Sequence, residues 1–298
     1  MEALAQPLPA YTALAALGVL VFGAFLRLTR LRAGWTPYRT WLVMLPIIFA
    51  ALWLGIWGWA LLVTILSIYG FKEFARATGL YRERLFVLVV YAAMVAANVA
   101  AYFGRFGLFM VAPVWAVGAL TLVPIIRNRT EGMLQNFALS VVGIVYFGWF
   151  LAHLTYLAIW TGGLGLVLYV VLATQLNDVI AFLFGKLLGR RHWTVLSPNK
   201  TVEGSLGALA FSVAFAFLNW PLAFPELPWW GALGLGVIIG AGGQIGDLTL
   251  ATFKRNVGIK DFGNLLPGHG GVLDRLNSLT LVAPVALHFV RFFFDGFP

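Results

Sequence analysis

The sequence predicts an all-α, polytopic membrane bundle of about nine to ten helices, and three observations carry that reading. Hydrophobic residues make up 61% of the 298 and charged residues only 10%, against about 25% charged in soluble domains. Mean hydropathy is +0.90. The apolar residues also fall in long runs, many near the roughly 20 residues that a spanning helix needs, with short basic stretches between them.

Taken in order, the runs lie near 10–29, 41–70, 85–103, 107–126, 136–160, 163–185, 204–220, 230–253 and 277–294. The first has no basic segment before it and no small-residue cleavage site after it, so a retained helix is expected there rather than a cleaved signal. The second is too long for one span. Gly55 and Gly58 near its middle divide it into two short helices in a tight hairpin, with Trp53, Trp57 and Trp59 expected at headgroup level, where aromatic rings collect. Each later run is one span. Residues 1–170 are helices of low motif content and residues 171–298 carry the polar motifs, within one integrated membrane domain. No internal repeat is visible. With no cysteine in the chain, a disulfide framework, a thiolate metal site and a cysteine nucleophile are all excluded.

Charge then orients the bundle. With ten segments and an outside N-terminus, alternate loops hold Arg27, Arg30, Arg32 and Arg39; Lys72, Arg76, Arg82 and Arg84; Arg127 and Arg129; Lys186, Arg190, Arg191 and Lys200; and Lys254, Arg255, Lys260 and Arg275. That places 18 of the 20 basic residues on one side and leaves Arg105 and Arg291 opposite. The positive-inside rule makes the basic side cytoplasmic, which in a bacterial cell means a multi-pass protein of the inner (plasma) membrane. The same face attracts anionic lipid headgroups, so the net charge of +9 calls for no nucleic acid. The 25 Phe and 12 Trp read as lipid-facing packing.

Two carboxylates interrupt the apolar runs: Asp178 and Asp247. A charge at the centre of a membrane helix costs about 2.5–3.5 kcal/mol on insertion scales, so such a residue faces a polar cavity, a partner or a cation. The bland alternative is hydration at the boundary or pairing with a loop Lys or Arg. Beyond Asp247 comes a dense polar block of Lys254, Arg255, Lys260, Asp261, His269, Asp274 and Arg275, punctuated by Gly258 and by Gly268-His269-Gly270-Gly271. Glycines there let main-chain N–H groups approach a ligand. Carboxylates among several cations suit a metal-bound polyphosphate. An ordinary basic loop explains the Lys and Arg but not the His-Gly-Gly turn. Upstream, Ser197-Pro198-Asn199-Lys200-Thr201 and Glu203-Gly204 read equally as a turn with a helix N-cap or as a phosphate cradle. Gly240, Gly242, Gly243 and Gly246 have the wrong spacing for a dinucleotide loop and suit close helix packing. His153 and His288 read as isolated, packed side chains.

Together these residues resemble the phosphatidate cytidylyltransferase (CDP-diacylglycerol synthase) signature. The likeness rests on Lys254-Arg255, Lys260-Asp261, Leu266-Pro267-Gly268-His269-Gly270-Gly271 and Asp274-Arg275. Asn177-Asp178, Ser197 to Thr201, Glu203-Gly204 and Gly246-Asp247 extend it, so that it covers about residues 175–280. It implies transfer of a cytidylyl group from CTP to phosphatidate with Mg²⁺, compatible with a second cation. Asp247 and Asp274 would be metal ligands and, with Lys254 and Arg255, catalytic. Substrate would be bound by Asn177, Asp178, Ser197, Asn199, Lys200, Thr201, Glu203, Lys260, Asp261, His269, Gly270, Gly271 and Arg275. Membrane lipids are the surrounding partner, and a homodimer paired through apolar helices is compatible with such an enzyme.

Two positions depart from the family pattern. Ala251 stands where a serine is usual, and Asn277 where an aspartate is. Asn277 still offers a carbonyl oxygen, whereas Ala251 donates nothing. Rival readings are a CTP-using enzyme of another lipid phosphate or lipid alcohol, a weakly active or non-catalytic lipid-binding paralogue, and a transporter. Clustering of the polar residues at one face, away from the midplane, counts against the last.

Overall fold

A computed structural model describes residues 35–160, 162–265 and 270–293, with scattered positions between 9 and 24. The first expected span, near 10–29, therefore lies outside the continuously described residues. The described chain is helical almost throughout: α1 (Trp35–Trp53), α2 (Ile56–Ala77), α3 (Arg84–Tyr102), α4 (Phe106–Arg127), α5 (Met133–Ala158), α6 (Gly163–Leu188), α7 (Val202–Ala223), α8 (Trp229–Asn256) and α9 (Leu273–Phe293). From α2 onward, eight of these are long and apolar enough to cross a membrane. The expected polytopic helical bundle is what the chain forms.

The long second run is broken where the glycines suggested. Gly55 takes φ 79° between α1 and α2, a left-handed region that costs glycine nothing and other residues strain. Trp53 and Trp57 are exposed at this turn, as expected for headgroup-level rings. Trp59 corrects the expectation: it is only 2% exposed and its indole donates to Leu154 O at 3.1 Å. One helical turn beyond Gly55, it faces the bundle and not the interface. In α5, residues Gly143–Trp149 widen into a π-helical stretch.

Two packed regions organise the bundle. The first halves of α6 (Gly163–Val171) and the end of α5 (Leu151–Ala158) are wholly buried and form its centre. A second cluster stacks Phe74 against Phe147 (centroids 4.9 Å apart) and Phe262 (6.2 Å), fixing α2 against α5 and against the loop before α9. Helix α6 packs along α7, α7 along α8, and α8 along α9. His153 and His288 also differ from expectation. Their Nε2 atoms lie 3.3 Å apart, and His153 Nδ1 is 2.8 Å from Trp149 O. A carbonyl can only accept, so His153 donates from Nδ1 and takes its Nε2 bond from His288.

Candidate active site

The α8–α9 contact positions the polar residues, and glycine makes it close. A Cβ at Gly246 would meet Asn277 O at 2.7 Å and Ser278 Cα at 3.0 Å; one at Gly243 would meet Asn177 Nδ2 at 2.8 Å. The small-residue reading of this stretch is correct, and its consequence is that α8 and α9 carry their carboxylates within reach of each other's side chains.

Asp247 on α8 sits between two helices and a loop. Its Oδ2 accepts from Lys200 Nζ at 2.7 Å, and its Oδ1 from Asn277 Nδ2 at 2.7 Å. Lys200 reaches it from the α6–α7 loop and also donates to Gln244 O at 3.3 Å. Beside them Asp178 of α6 accepts from Ser278 Oγ at 2.8 and 3.1 Å. It lies near enough to Asp247 for the two carboxylates to repel, and near enough to Lys200 and Arg275 to be attracted. Around them, Ser212 Oγ donates to Asn177 Oδ1 at 3.1 Å and Ser205 Oγ to Gln244 Oε1 at 3.3 Å. The buried amide nitrogens of Asn177 and Gln244 have no hydrogen-bond acceptor among the described residues.

Asp274 belongs to a second set of contacts, at the start of α9. Its Oδ1 pairs with Lys254 Nζ at 2.9 Å, while its Oδ2 accepts from the main-chain N–H groups of Phe262 and Gly271, both at 2.9 Å. Glu73 completes this end. Its carboxylate, from α2, accepts from Val272 N at 3.1 Å and Leu273 N at 2.8 Å. The first N–H groups of a helix lack partners within it, and two carboxylates supply them here where the helix dipole favours negative charge. Gly270 takes φ 78°, and Gly263 and Gly271 press so closely on Glu73 that a Cβ on either would strike its carboxylate.

The α6–α7 loop resolves the open reading of its sequence largely towards structure. Thr201 is the N-cap of α7, accepting from Gly204 N at 3.1 Å, and Glu203 Oε2 accepts from Arg190 N at 3.0 Å and Arg191 N at 3.2 Å. Ser197 O closes a turn with Lys200 N at 2.9 Å. Asn199, Arg255, Lys260 and Asp261 are exposed around the same end. His269 lies outside the described residues. Next to Ala251, Thr252 bonds its hydroxyl back to Leu248 O at 2.8 Å, so it does not replace the missing serine.

Sequence reasoning missed Glu73, Gln175, Gln244 and Ser278. Ser278 and Gln244 lie within the apolar runs of α9 and α8 as polar interruptions. Glu73 is hidden among Lys72 and Arg76, and no local pattern links it to a helix some 200 residues away.

The donor set suits a hard cation. Each of the two expected ligands, Asp247 and Asp274, offers one oxygen to a lysine ammonium (2.7 and 2.9 Å), a position for which a cation competes. Asp247 is the more open, with its side chain 30% exposed against 2% for Asp274. Among the described residues no three His, Cys, Asp or Glu side chains gather into one metal-holding group. One or two carboxylates with water and substrate oxygens is the coordination Mg²⁺ favours.

Comparison with known proteins gives the family of the chain. The family model described as "Cytidylyltransferase family" matches residues 35–293. A protein named phosphatidate cytidylyltransferase in Staphylococcus aureus (strain COL) is 39% identical over 160 residues, covering 53% of this chain and 60% of that protein. The protein of that name in Staphylococcus haemolyticus is 38% identical over 160 residues, with the same coverage. An Escherichia coli (strain K12) protein named "Uncharacterized protein YnbB" is 38% identical over 165 residues, 52% of this chain and 55% of that one. The chain thus spans less than two thirds of the length of the curated relatives it matches.

Proposed function

This chain belongs to the cytidylyltransferase family, and from that premise we propose that it joins CTP to phosphatidate, forming CDP-diacylglycerol and pyrophosphate. The observation that carries the reading is the meeting of Lys200 from the α6–α7 loop with Asp247 of α8, and of Lys254 with Asp274 across the neighbouring α8–α9 contact. Cations and carboxylates there share one end of an otherwise apolar bundle, where a soluble trianionic or tetra-anionic substrate and a lipid phosphate can meet.

In the proposed reaction a phosphate oxygen of phosphatidate attacks the α-phosphorus of CTP. The bond from that phosphorus to the bridging oxygen of the β-phosphate breaks, and pyrophosphate leaves with the electron pair. The attacking oxygen is already anionic near neutral pH, so no residue has to remove a proton. Nucleotidyl transfer of this kind depends on positioning and on neutralising charge. Lys200, Lys254 and Arg275 lie where they can receive phosphate oxygens, with Arg255 and Lys260 at the rim. Asp247 and Asp274 would hold Mg²⁺, whose charge offsets the repulsion between the two phosphates. On substrate binding Lys200 and Lys254 would leave Asp247 and Asp274, freeing those carboxylates to hold the cation, and would turn to phosphate oxygens. Asn177 and Gln244, with buried donors to spare, line the same region.

The same proposal places the basic end in the cytoplasm, where CTP is, within the inner membrane, and allows two copies to pair through apolar helices. Purified protein given radiolabelled CTP, Mg²⁺ and a panel of lipid phosphates and lipid alcohols tests the reading. Label should enter phosphatidate in preference to every other lipid, with pyrophosphate released in equal amount. Label entering a different lipid, or none, overturns it.

A further inference from the structure

A cavity of about 220 Å³ opens beside the site among α1, α2, α5, α6 and α9. Its walls are apolar side chains such as Ile47, Leu62, Leu66, Leu154 and Leu276, and on the α1 side Val43 and Ile47 are 59% and 49% exposed towards the surroundings of the bundle. Its one charged lining residue among those described is Arg275, next to Gln175, whose Nε2 donates to Arg275 O at 3.1 Å. Arg275 also lies within electrostatic reach of Asp178. One residue therefore belongs both to the mouth of an apolar groove and to the carboxylate–lysine cluster.

We propose that this groove holds one acyl chain of the lipid phosphate substrate, with Arg275 at its end binding the phosphate and presenting it to the cluster around Asp247. The inference rests on the proposed reaction and adds where the lipid lies. A guanidinium suits a phosphomonoester because its fork of donors matches two phosphate oxygens. The apolar wall has a different task. Lipid tails are as apolar as leucine, so moving a chain from bilayer to groove gains little transfer energy. The groove orients the lipid, and the charge at its end selects lipids with an anionic phosphate over neutral ones.

Phosphatidate carrying a diazirine near the end of one acyl chain tests this without requiring turnover. Irradiation should cross-link it to peptides of α1 and α2 that include Ile47 or Leu62 to Leu66. Unlabelled phosphatidate should compete and diacylglycerol should not. Ile47→Trp, which fills the groove from its exposed wall, should reduce that cross-link to background. Leu42→Trp, exposed on the same helix but not lining the cavity, should leave it intact. Cross-links mapping elsewhere, equal competition by diacylglycerol, or an unaffected Ile47→Trp protein overturns the groove assignment. CTP incorporation measured on the same preparations reports separately on the reaction: turnover with misplaced cross-links sinks the groove alone, and groove cross-links without turnover sink the reaction alone.

Discussion

At the scale of single residues, Asp247 and Asp274, expected as joint cation ligands, are held in different ways. Asp247 is held by side chains that can move away, Lys200 and Asn277; Asp274 is held partly by the main chain of Phe262 and Gly271. Asp247→Asn should accordingly lose CTP-dependent turnover by at least about 100-fold, on the scale of removing a preorganised charge from a phosphoryl-transfer site, while the melting temperature in detergent changes little. Near-parental turnover would remove Asp247 from the cation site. Asn277 makes a sharper case. Its amide donates to Asp247, a bond that the aspartate usual in the family cannot make when ionised. Asn277→Asp sets two carboxylates together, so the variant should melt lower than the parent without Mg²⁺ and regain stability as Mg²⁺ is added. No stabilisation of either protein by Mg²⁺ would show that no cation is held there. Glu73 was illegible for a physical reason: its partners are the N–H groups of Val272 and Leu273, and main-chain donors leave no mark in a side-chain sequence. Glu73→Ala leaves those donors without an acceptor, a loss of about 1–3 kcal/mol for each buried N–H so exposed. Thermal unfolding should register it, with Glu73→Gln intermediate because one side-chain oxygen remains; an unchanged melting temperature in both would contradict the capping role.

At the scale of elements, the apolar runs made every helix from α2 to α9 legible, because lipid obliges the backbone to satisfy its hydrogen bonds within each segment. Gly55 marked the α1–α2 break for a conformational reason that is local and hence readable. The π-helical turn at Gly143–Trp149 was not readable, since no periodicity marks it; within it Gly143 and Gly148 leave room for the side chains of Phe71 and Met94, which an added Cβ would strike. The glycines of α8 fall between these cases: their presence announced close packing, but not which helix approaches. Two of them now separate. At Gly246 an added Cβ meets the α9 backbone itself (Asn277 O at 2.7 Å), which cannot yield without moving the helix, whereas at Gly242 it meets the tip of Val282 at 3.4 Å, an ordinary contact. Gly246→Ala should therefore destabilise by about 1–3 kcal/mol, as overpacking does, and should also separate Lys254 from Asp274 and Asp247 from Asn277, lowering turnover. Gly242→Ala should be nearly neutral in both. Equal effects would mean that α8 meets α9 along a different face.

At the scale of the whole molecule, the arrangement depends on which end of the bundle faces CTP. The basic residues supplied that reading from sequence, and the fold pairs several of them with carboxylates: Lys200 with Asp247, Lys254 with Asp274, and Arg129 with Glu83 at 2.6 Å. Arg291 lies over the ring of Phe106, 3.6 Å from its centroid, and so shares the other end with Arg105. Helix α4 offers a direct measure, because it begins just after Arg105 and ends on Arg127. Its 22 residues rise about 33 Å at 1.5 Å each, enough to carry its two ends across a hydrocarbon core of roughly 30 Å. The chain contains no cysteine, so one introduced thiol reports without background. In intact cells a membrane-impermeant maleimide should label Arg105→Cys at once, and Arg127→Cys only after the membrane is opened. The opposite result would put the lysine–aspartate pairs on the side without CTP, and the proposed reaction would then have no supply of its nucleotide.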